Sequence, residues 1–335
     1  MFPGATADRE AADYVLVGAP LDVSTSFLPG ARFGPDRLRR FAEPFDDYDR
    51  RTDSRFSALG VHDAGDVRAW DDAAEYVEYL AATLRDAVID DACPLLLGGE
   101  HTVSAAGVRA VDPDVFVTLD AHLDLRESFD GNPWSHACVT RRILDGDPGA
   151  VSNGDPGDAP DGGSSRPPTA DRAVILGART GAPEEYERAD ADDVTVVPPD
   201  AVADWTPDFG GERVYLSVDV DAVDPGFAPG TGTMEPFGLH PRTVRRVVRA
   251  VAPHAAGFDA VEVNGKHTHH RERVALLAEE RGCPIVGGSD AHYPFEAGRA
   301  YTRIDANELT PESVVAAIRD GRVEPAVAEY PLDRV

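Results

Sequence analysis

Short apolar runs recur along the chain: Tyr14-Val15-Leu16-Val17-Gly18, then Leu95 to Leu97, Val115 to Leu119, Ala173 to Leu176, Val194 to Val197, Val214 to Leu216 and Ala260 to Val263. They are apolar almost throughout rather than alternating, as strands buried on both faces are. Between the first two, Asp71-Asp72 offers a cap for a stretch in which Tyr76, Leu80 and Leu84 recur at helical spacing. Apolar strands alternating with helices predict a three-layer α/β/α fold around a mostly parallel sheet. Residues 145–171 are rich in Gly, Pro, Asp and Ser and lack apolar periodicity, which predicts a flexible insertion in a surface loop. The chain has no internal repeat.

Polar residues gather where three of these runs end. Asp120-Ala121-His122-Leu123-Asp124 follows the third run, Asp219-Val220-Asp221 follows the sixth, and Gly98-Gly99-Glu100-His101 follows the second. Residues two apart on an extended strand point to the same side, so Asp120, His122 and Asp124 can converge, as can Asp219 and Asp221. A single Asp-x-His is most often a turn or a solvated loop. Three such groups at the carboxyl ends of strands, where open α/β sheets place their sites, point to a centre for two metal ions. Carboxylate with imidazole and no thiolate suits Mn²⁺, then Fe²⁺, Co²⁺ or Zn²⁺.

These stretches resemble the ureohydrolases, the family of arginase and agmatinase. Gly30-Ala31-Arg32-Phe33-Gly34-Pro35, Pro229-Gly230-Thr231-Gly232-Thr233 and Phe258 to Asn264 also fit, so the likeness spans roughly residues 10–264. Met234 and Phe237 depart from it, standing where the family usually has proline and glycine. The resemblance implies two Mn²⁺ per subunit. His101, Asp120, Asp124 and Asp219 would hold one, and His122, Asp120, Asp219 and Asp221 the other, with Asp124 also counted among the catalytic residues. Such a pair of ions activates a water for attack on a guanidinium carbon. His136 would shuttle protons, Glu262 would pair with the guanidinium, and Asn132 and Ser135 would contact the substrate. A polar loop histidine and a strand-end acid are the plain alternatives for His136 and Glu262. The family likeness also implies a homo-oligomer, a trimer or hexamer, and a small cationic guanidino substrate. Agmatine, cleaved to putrescine and urea, is the first expectation, from the loop Arg126 to Ser135. Arginase, guanidinobutyrase or formimidoylglutamase activity, or action on a guanidino group carried by a polyamine or a protein, are the alternatives.

Charge changes the setting rather than the chemistry. There are 60 acidic residues against 32 basic ones, a net charge of −28, and Lys266 is the only lysine. An acidic, lysine-poor surface fits high salt, where self-repulsion is screened. Base-composition bias explains the missing lysine but not the excess of acid. Nucleic acid and anionic membrane are poor partners for such a surface. Cys93, Cys138 and Cys283 are too scattered for a disulfide framework or a thiolate site. The start carries no basic-then-apolar leader, and no run is long enough to span a bilayer, so the expectation is a cytoplasmic protein.

The last part of the chain differs. After Asn264 come Gly265-Lys266-His267-Thr268-His269-His270, a helical stretch Arg271 to Arg281, a strand Cys283 to Val286, then Gly287-Gly288-Ser289-Asp290-Ala291-His292. Tyr301 to Ile304 adds a strand, and Thr310-Pro311-Glu312 opens another helix. Roughly residues 257–325 resemble the closing segment of the PHP (polymerase and histidinol phosphatase) metal hydrolases, in which Ser-Asp-Ala-His supplies late ligands. The expected division is 1–264 and 265–335. Asp290 and His292 are then candidates for a second metal cluster, though the earlier PHP ligands are absent. A PHP-type phosphoesterase or an inactive metal-binding protein is the reading from another class.

Overall fold

The computed structural model describes residues 1–148, 167–255, 261–264, 285–288, 300–304, 317 and 322–327. By compactness the chain divides into Met1–Ala256 and Gly257–Val335.

The first unit holds β1 (Tyr14–Ala19), α1 (Gly34–Ala42), a small hairpin of β2 (Tyr48–Asp49) and β3 (Ser54–Arg55), β4 (Val61–Asp66), α2 (Ala73–Ile89) and β5 (Cys93–Gly98). There follow α3 (Val103–Val111), β6 (Val115–Leu119), α4 (Val139–Asp145), β7 (Arg172–Leu176), α5 (Pro183–Ala189), β8 (Val194–Val197), β9 (Val214–Val218) and α6 (Pro241–Val251). Two parallel sheets form, in the orders β4-β1-β5 and β8-β7-β6-β9. With helices flanking these sheets, the architecture is the expected three-layer α/β/α. Among the described residues no helix is long and apolar enough to cross a membrane.

Local chemistry explains the elements that matter most. Asp72 caps α2, its carboxylate accepting from Glu75 N–H at 3.0 Å. Tyr76, Leu80 and Leu84 recur on the inner face and are fully buried, while the Tyr76 hydroxyl donates to Val67 O at 2.9 Å. Burying Leu80 or Leu84 stabilises the fold by about 1.5–3 kcal/mol each, and Leu80→Ala would cost about 2–5 kcal/mol. All five residues of β6 are buried, as its unbroken apolar run requires. Its register aligns Leu119 with Leu176 on one side and Val218 on the other. The ladder continues past the strand ends, Asp120 N–H donating to Leu176 O at 3.1 Å and Asp219 N–H to Leu119 O at 2.9 Å. Asp120 and Asp219 therefore leave neighbouring strands at the same edge.

Both flanks of the glycine- and proline-rich stretch 145–171 are built into the fold. Asp145 ends α4 and pairs with Arg188 at 2.7 Å, and Thr169 N–H donates to Ile143 O at 2.9 Å. Residues 149–166 lie outside the described residues.

In the second unit, β10 (Val261–Asn264) pairs in parallel with β11 (Ile285–Gly288), and β12 (Ala300–Ile304) pairs antiparallel with β13 (Val323–Val327). The expected strands at 283–286 and 301–304 thus appear, each displaced by a residue or two. The strand holding Glu262 groups with this unit, whereas the motif match carries the first segment through Asn264. Both family patterns share residues 259–264, so motif likeness alone could not place the junction. The expected helix 271–281 and the helix start at Thr310 lie outside the described residues.

Candidate metal centre

Three turns assemble the site. After β5 the chain turns at Gly99, where φ is 61° and a Cβ would come within 2.2 Å of Ala19 O, so only glycine fits. That turn delivers His101 at the start of α3. After β6, Ala121, Leu123 and Leu125 enter the core while Asp120, His122 and Asp124 alternate with them, as a period of two dictates. Asp124 takes a left-handed φ of 53°, a conformation that aspartate tolerates better than most residues. After β9, Asp219 caps the short helix Val220–Ala222, accepting from Asp221 N–H at 2.9 Å. Asp221 is tied back to the turn after β6 by Ala121 N–H, which donates to its Oδ1 at 3.1 Å.

Two triads result, His101 with Asp120 and Asp124, and Asp120 with His122 and Asp221. His101 Nδ1 lies 2.8 Å from Asp124 Oδ2 and 2.9 Å from Asp120 Oδ2. His122 Nδ1 lies 3.1 Å from Asp221 Oδ2 and 3.5 Å from Asp120 Oδ1. Asp120 belongs to both triads. Asp219 stands beside Asp221 but belongs to neither triad, so its expected shared role has no direct counterpart in this geometry.

The electrostatics fit a cation. Burial would raise Asp120, but the imidazoles of His101 and His122 outweigh it and hold the carboxyl below its usual range. At its neighbours the imidazoles pull the same way but are outweighed. Burial and then the Asp120 charge push Asp124 up to about 7, and burial with Asp221 and Asp120 pushes Asp219 well above the ordinary carboxylate range. Conversely, burial would lower His122, yet Asp120 and Asp221 raise it to about 12. Four carboxylates thus crowd two imidazoles, and the buried Asp120 Oδ2 accepts no well-aligned hydrogen bond. Buried charge left over in this way is what divalent cations neutralise. The donors, oxygen and imidazole nitrogen only, suit Mn²⁺-type ions.

His136 sits in the short helix His136–Cys138 on the loop after this cluster. Its Nε2 receives the Ser26 N–H at 3.0 Å and lies 2.7 Å from Ser26 Oγ. A backbone N–H only donates, so Nε2 is an acceptor and a neutral ring carries its proton on Nδ1. Burial, then the charges of His101 and His122, push its pKa down to about 4. Asn132 Oδ1 accepts from Trp134 N–H at 2.9 Å, and Ser135 Oγ donates to Ser24 O at 3.2 Å, so both side chains are engaged in shaping this loop. Arg109 stacks over Trp134, 5.0 Å from its ring centre, and braces the same loop. The backbone of Glu262 lies in β10, but its side chain, like Asp290 and His292, lies outside the described residues.

Several contributors had no local signal in the sequence. Ser217 Oγ stands 3.1 Å from His101 Nε2, fixing the ring from behind the ligand nitrogen. Thr233 Oγ1 donates to Asp221 Oδ2 at 3.2 Å. Ser26 lies far from His136 in sequence. Only the apolar run ending at Ser217 and the glycine-threonine loop at Thr233 hinted at their positions.

Comparison with known proteins agrees with this centre. The profile of the arginase family matches residues 12–282, and a PHP-associated profile matches residues 268–323. An agmatinase of Pyrococcus horikoshii is 33% identical over 269 residues, covering 78% of this chain and 87% of that protein. N(1)-aminopropylagmatine ureohydrolase of Thermococcus kodakarensis is also 33% identical over 269 residues, covering 77% of this chain and 85% of that protein. The crystal structure of agmatine ureohydrolase of Thermoplasma volcanium superposes with a TM-score of 0.64 at 31% identity, covering 77% of this chain and 83% of that one. Sequence, fold and ligand geometry agree, and the chain belongs to the arginase family of binuclear metal hydrolases that act on amidino groups.

Proposed function

We propose that this protein hydrolyses the guanidino group of a small cationic compound to urea and an amine, with agmatine, cleaved to putrescine, as the first substrate. The observation that carries this is the pair of triads sharing Asp120, crowded with more carboxylates than the chain's own cations can balance. The named activities of the relatives supply the substrate class. His101, Asp120 and Asp124 hold one Mn²⁺ and His122, Asp120 and Asp221 the other, with Asp219 completing the pair beside Asp221. When bound, two such ions supply an activated water and stabilise the charge that develops at the reacting carbon. His136 handles the proton bound for the departing amine, and Ser26 sets its ring orientation and tautomer. Glu262 pairs with the substrate guanidinium through a charge-assisted fork. The protein works as a homo-oligomer in a cytoplasm of high salt, and its product places it in polyamine metabolism.

Urea release from agmatine, arginine and 4-guanidinobutyrate, measured with Mn²⁺ at molar salt, tests this reading. Agmatine should be turned over fastest. Urea from none of the three, with phosphate released instead from phosphomonoesters, would sink it. Glu262→Gln keeps the shape and loses the charge, so it should act mainly on KM.

A further inference from the structure

Beside the metal centre lies a cavity of about 540 Å³, within the size range of small-molecule sites. Glu235, which lines it, connects the two: its Oε1 is 3.9 Å from His122 Nε2, while the other ring nitrogen of His122 faces Asp221 at 3.1 Å. The cavity therefore begins at His122, a member of the second triad.

Its chemistry is lopsided in a specific way. Arg179 lines the cavity and is its cation, but all its donors are committed. Nε donates to Pro236 O, Nη1 to Gly177 O and Ala222 O, and Nη2 to Asp221 O and Glu235 O, at 2.7–3.4 Å. A guanidinium has five N–H groups, and these are five acceptors. Arg179 thus clamps the loop that carries Glu235 to the turn that carries Asp221, with no N–H left over for a ligand carboxylate. A ligand meets the carboxylates of Glu235 and the exposed Asp200, and the ring of Phe237.

Phe237 is the second, independent observation. It adopts φ 64°, the left-handed region that penalises a bulky side chain, and its side chain is left in water with 85% of the residue exposed. Both features are unfavourable in isolation, and they coincide at the lip of an acid-lined cavity. An aromatic ring beside two carboxylates is suited to an alkylammonium, whose methylenes pack on the ring and whose charge is attracted to its face.

We infer that this cavity receives the ammonium end of the substrate, with Asp200 and Glu235 pairing with the charge and Phe237 covering the methylenes. It makes these residues determinants of specificity for guanidino compounds that end in an amine over those that end in a carboxylate. The inference rests on the guanidino hydrolysis proposed above.

The test compares urea release from agmatine and 4-guanidinobutyrate by the parent, Asp200→Asn and Phe237→Gly. Glycine favours the φ found at 237, so that variant should fold at least as well as the parent. The parent should prefer agmatine. In Asp200→Asn the ratio of kcat/KM for agmatine over 4-guanidinobutyrate should fall about tenfold, the loss of one charge-assisted contact. In Phe237→Gly it should fall several-fold through a higher KM for agmatine. An active parent whose ratio is unchanged in both variants overturns the inference and leaves the guanidino hydrolysis standing. If the parent releases urea from neither compound, that hydrolysis fails, and calorimetry with 1,4-diaminobutane at molar salt then decides the cavity alone. Binding by the parent that is weakened in Asp200→Asn supports an ammonium site. No binding, or binding indifferent to both variants, overturns it.

Discussion

Two groups of buried carboxylates lie in the first unit, and they have opposite fates. On β4, Asp63 meets Arg39 of α1 through two parallel bonds, Nε to Oδ2 and Nη2 to Oδ1, each 2.8 Å long. Burial would raise the Asp63 pKa, but Arg39 together with the N–H groups of Gly65 and Phe2 brings it down to about 2. Arg39 also meets Asp66 through Nη1, but that carboxylate is partly exposed to water, so the buried charge of Asp63 is matched within the chain. At the ends of β6 and β9, the carboxylates of Asp120, Asp124, Asp219 and Asp221 meet, among the described residues, the imidazoles of His101 and His122 and the more distant charge of Arg179, and Asp124 and Asp219 are pushed upward instead. Burial alone therefore does not mark a functional acid. The mark is buried acid in excess of the cations that the chain itself provides, which calls for a cation from outside.

The sharpest way to break this contrast is to neutralise one acid from each group. Asp120→Asn keeps volume but removes the shared ligand, and urea release should fall on the order of 10³-fold or more. Arg39→Met should leave turnover per folded molecule within a few-fold of the parent. Equal losses in the two variants would show that the pair on β4 is also part of the machinery.

Stability should respond the other way. Arg39→Met strands Asp63 in a buried site and should cost about 3–5 kcal/mol in denaturant unfolding. A cost near zero would mean that Asp63 finds another partner. Added Mn²⁺ sharpens the difference. At a hundredfold excess over its Kd it should stabilise the parent and Arg39→Met alike by about 2.7 kcal/mol for each ion bound, seen as a rise in Tm, and stabilise Asp120→Asn far less. The smallest effect is with pH. Asp63 has a folded pKa near 2 against an ordinary 3.8, and its side chain is fully shielded. Its contribution, about 2 kcal/mol, is present above pH 3.8 and lost as pH falls toward 2. That acid limb should be absent from Arg39→Met, and its persistence there would assign acid unfolding to other groups.

The same contrast shows what could be read before any coordinates. Asp120, His122 and Asp124 were legible because a wholly apolar strand ends just before them and a period of two fixes their common side. The α/β alternation was legible for the same reason, from runs buried on both faces. Strand β4 was not, since in Val61–Asp66 only Val61 and Asp63 are buried and one of them is an acid. Helices α1 and α6 were not either. Their sequences are crowded with arginine, and buried Arg39 breaks the apolar stripe that periodicity looks for. Contacts that join distant loops, Ser26 to His136 or Arg179 to the carbonyls around Asp221, leave no local pattern at all. Asn132 and Ser135 are expected from resemblance to contact the substrate, and in the structure their side chains are engaged in holding their own loop's shape.

We propose that the carboxylates around Asp120 form a centre for two ions shared through that residue. Metal content after chelation, reconstitution with Mn²⁺ at molar salt and removal of free ion tests it most directly. Two Mn²⁺ per chain are expected in the parent and in Arg39→Met, and fewer than one tightly held in Asp120→Asn. One ion or none in the parent, or two retained without the Asp120 carboxylate, would contradict it.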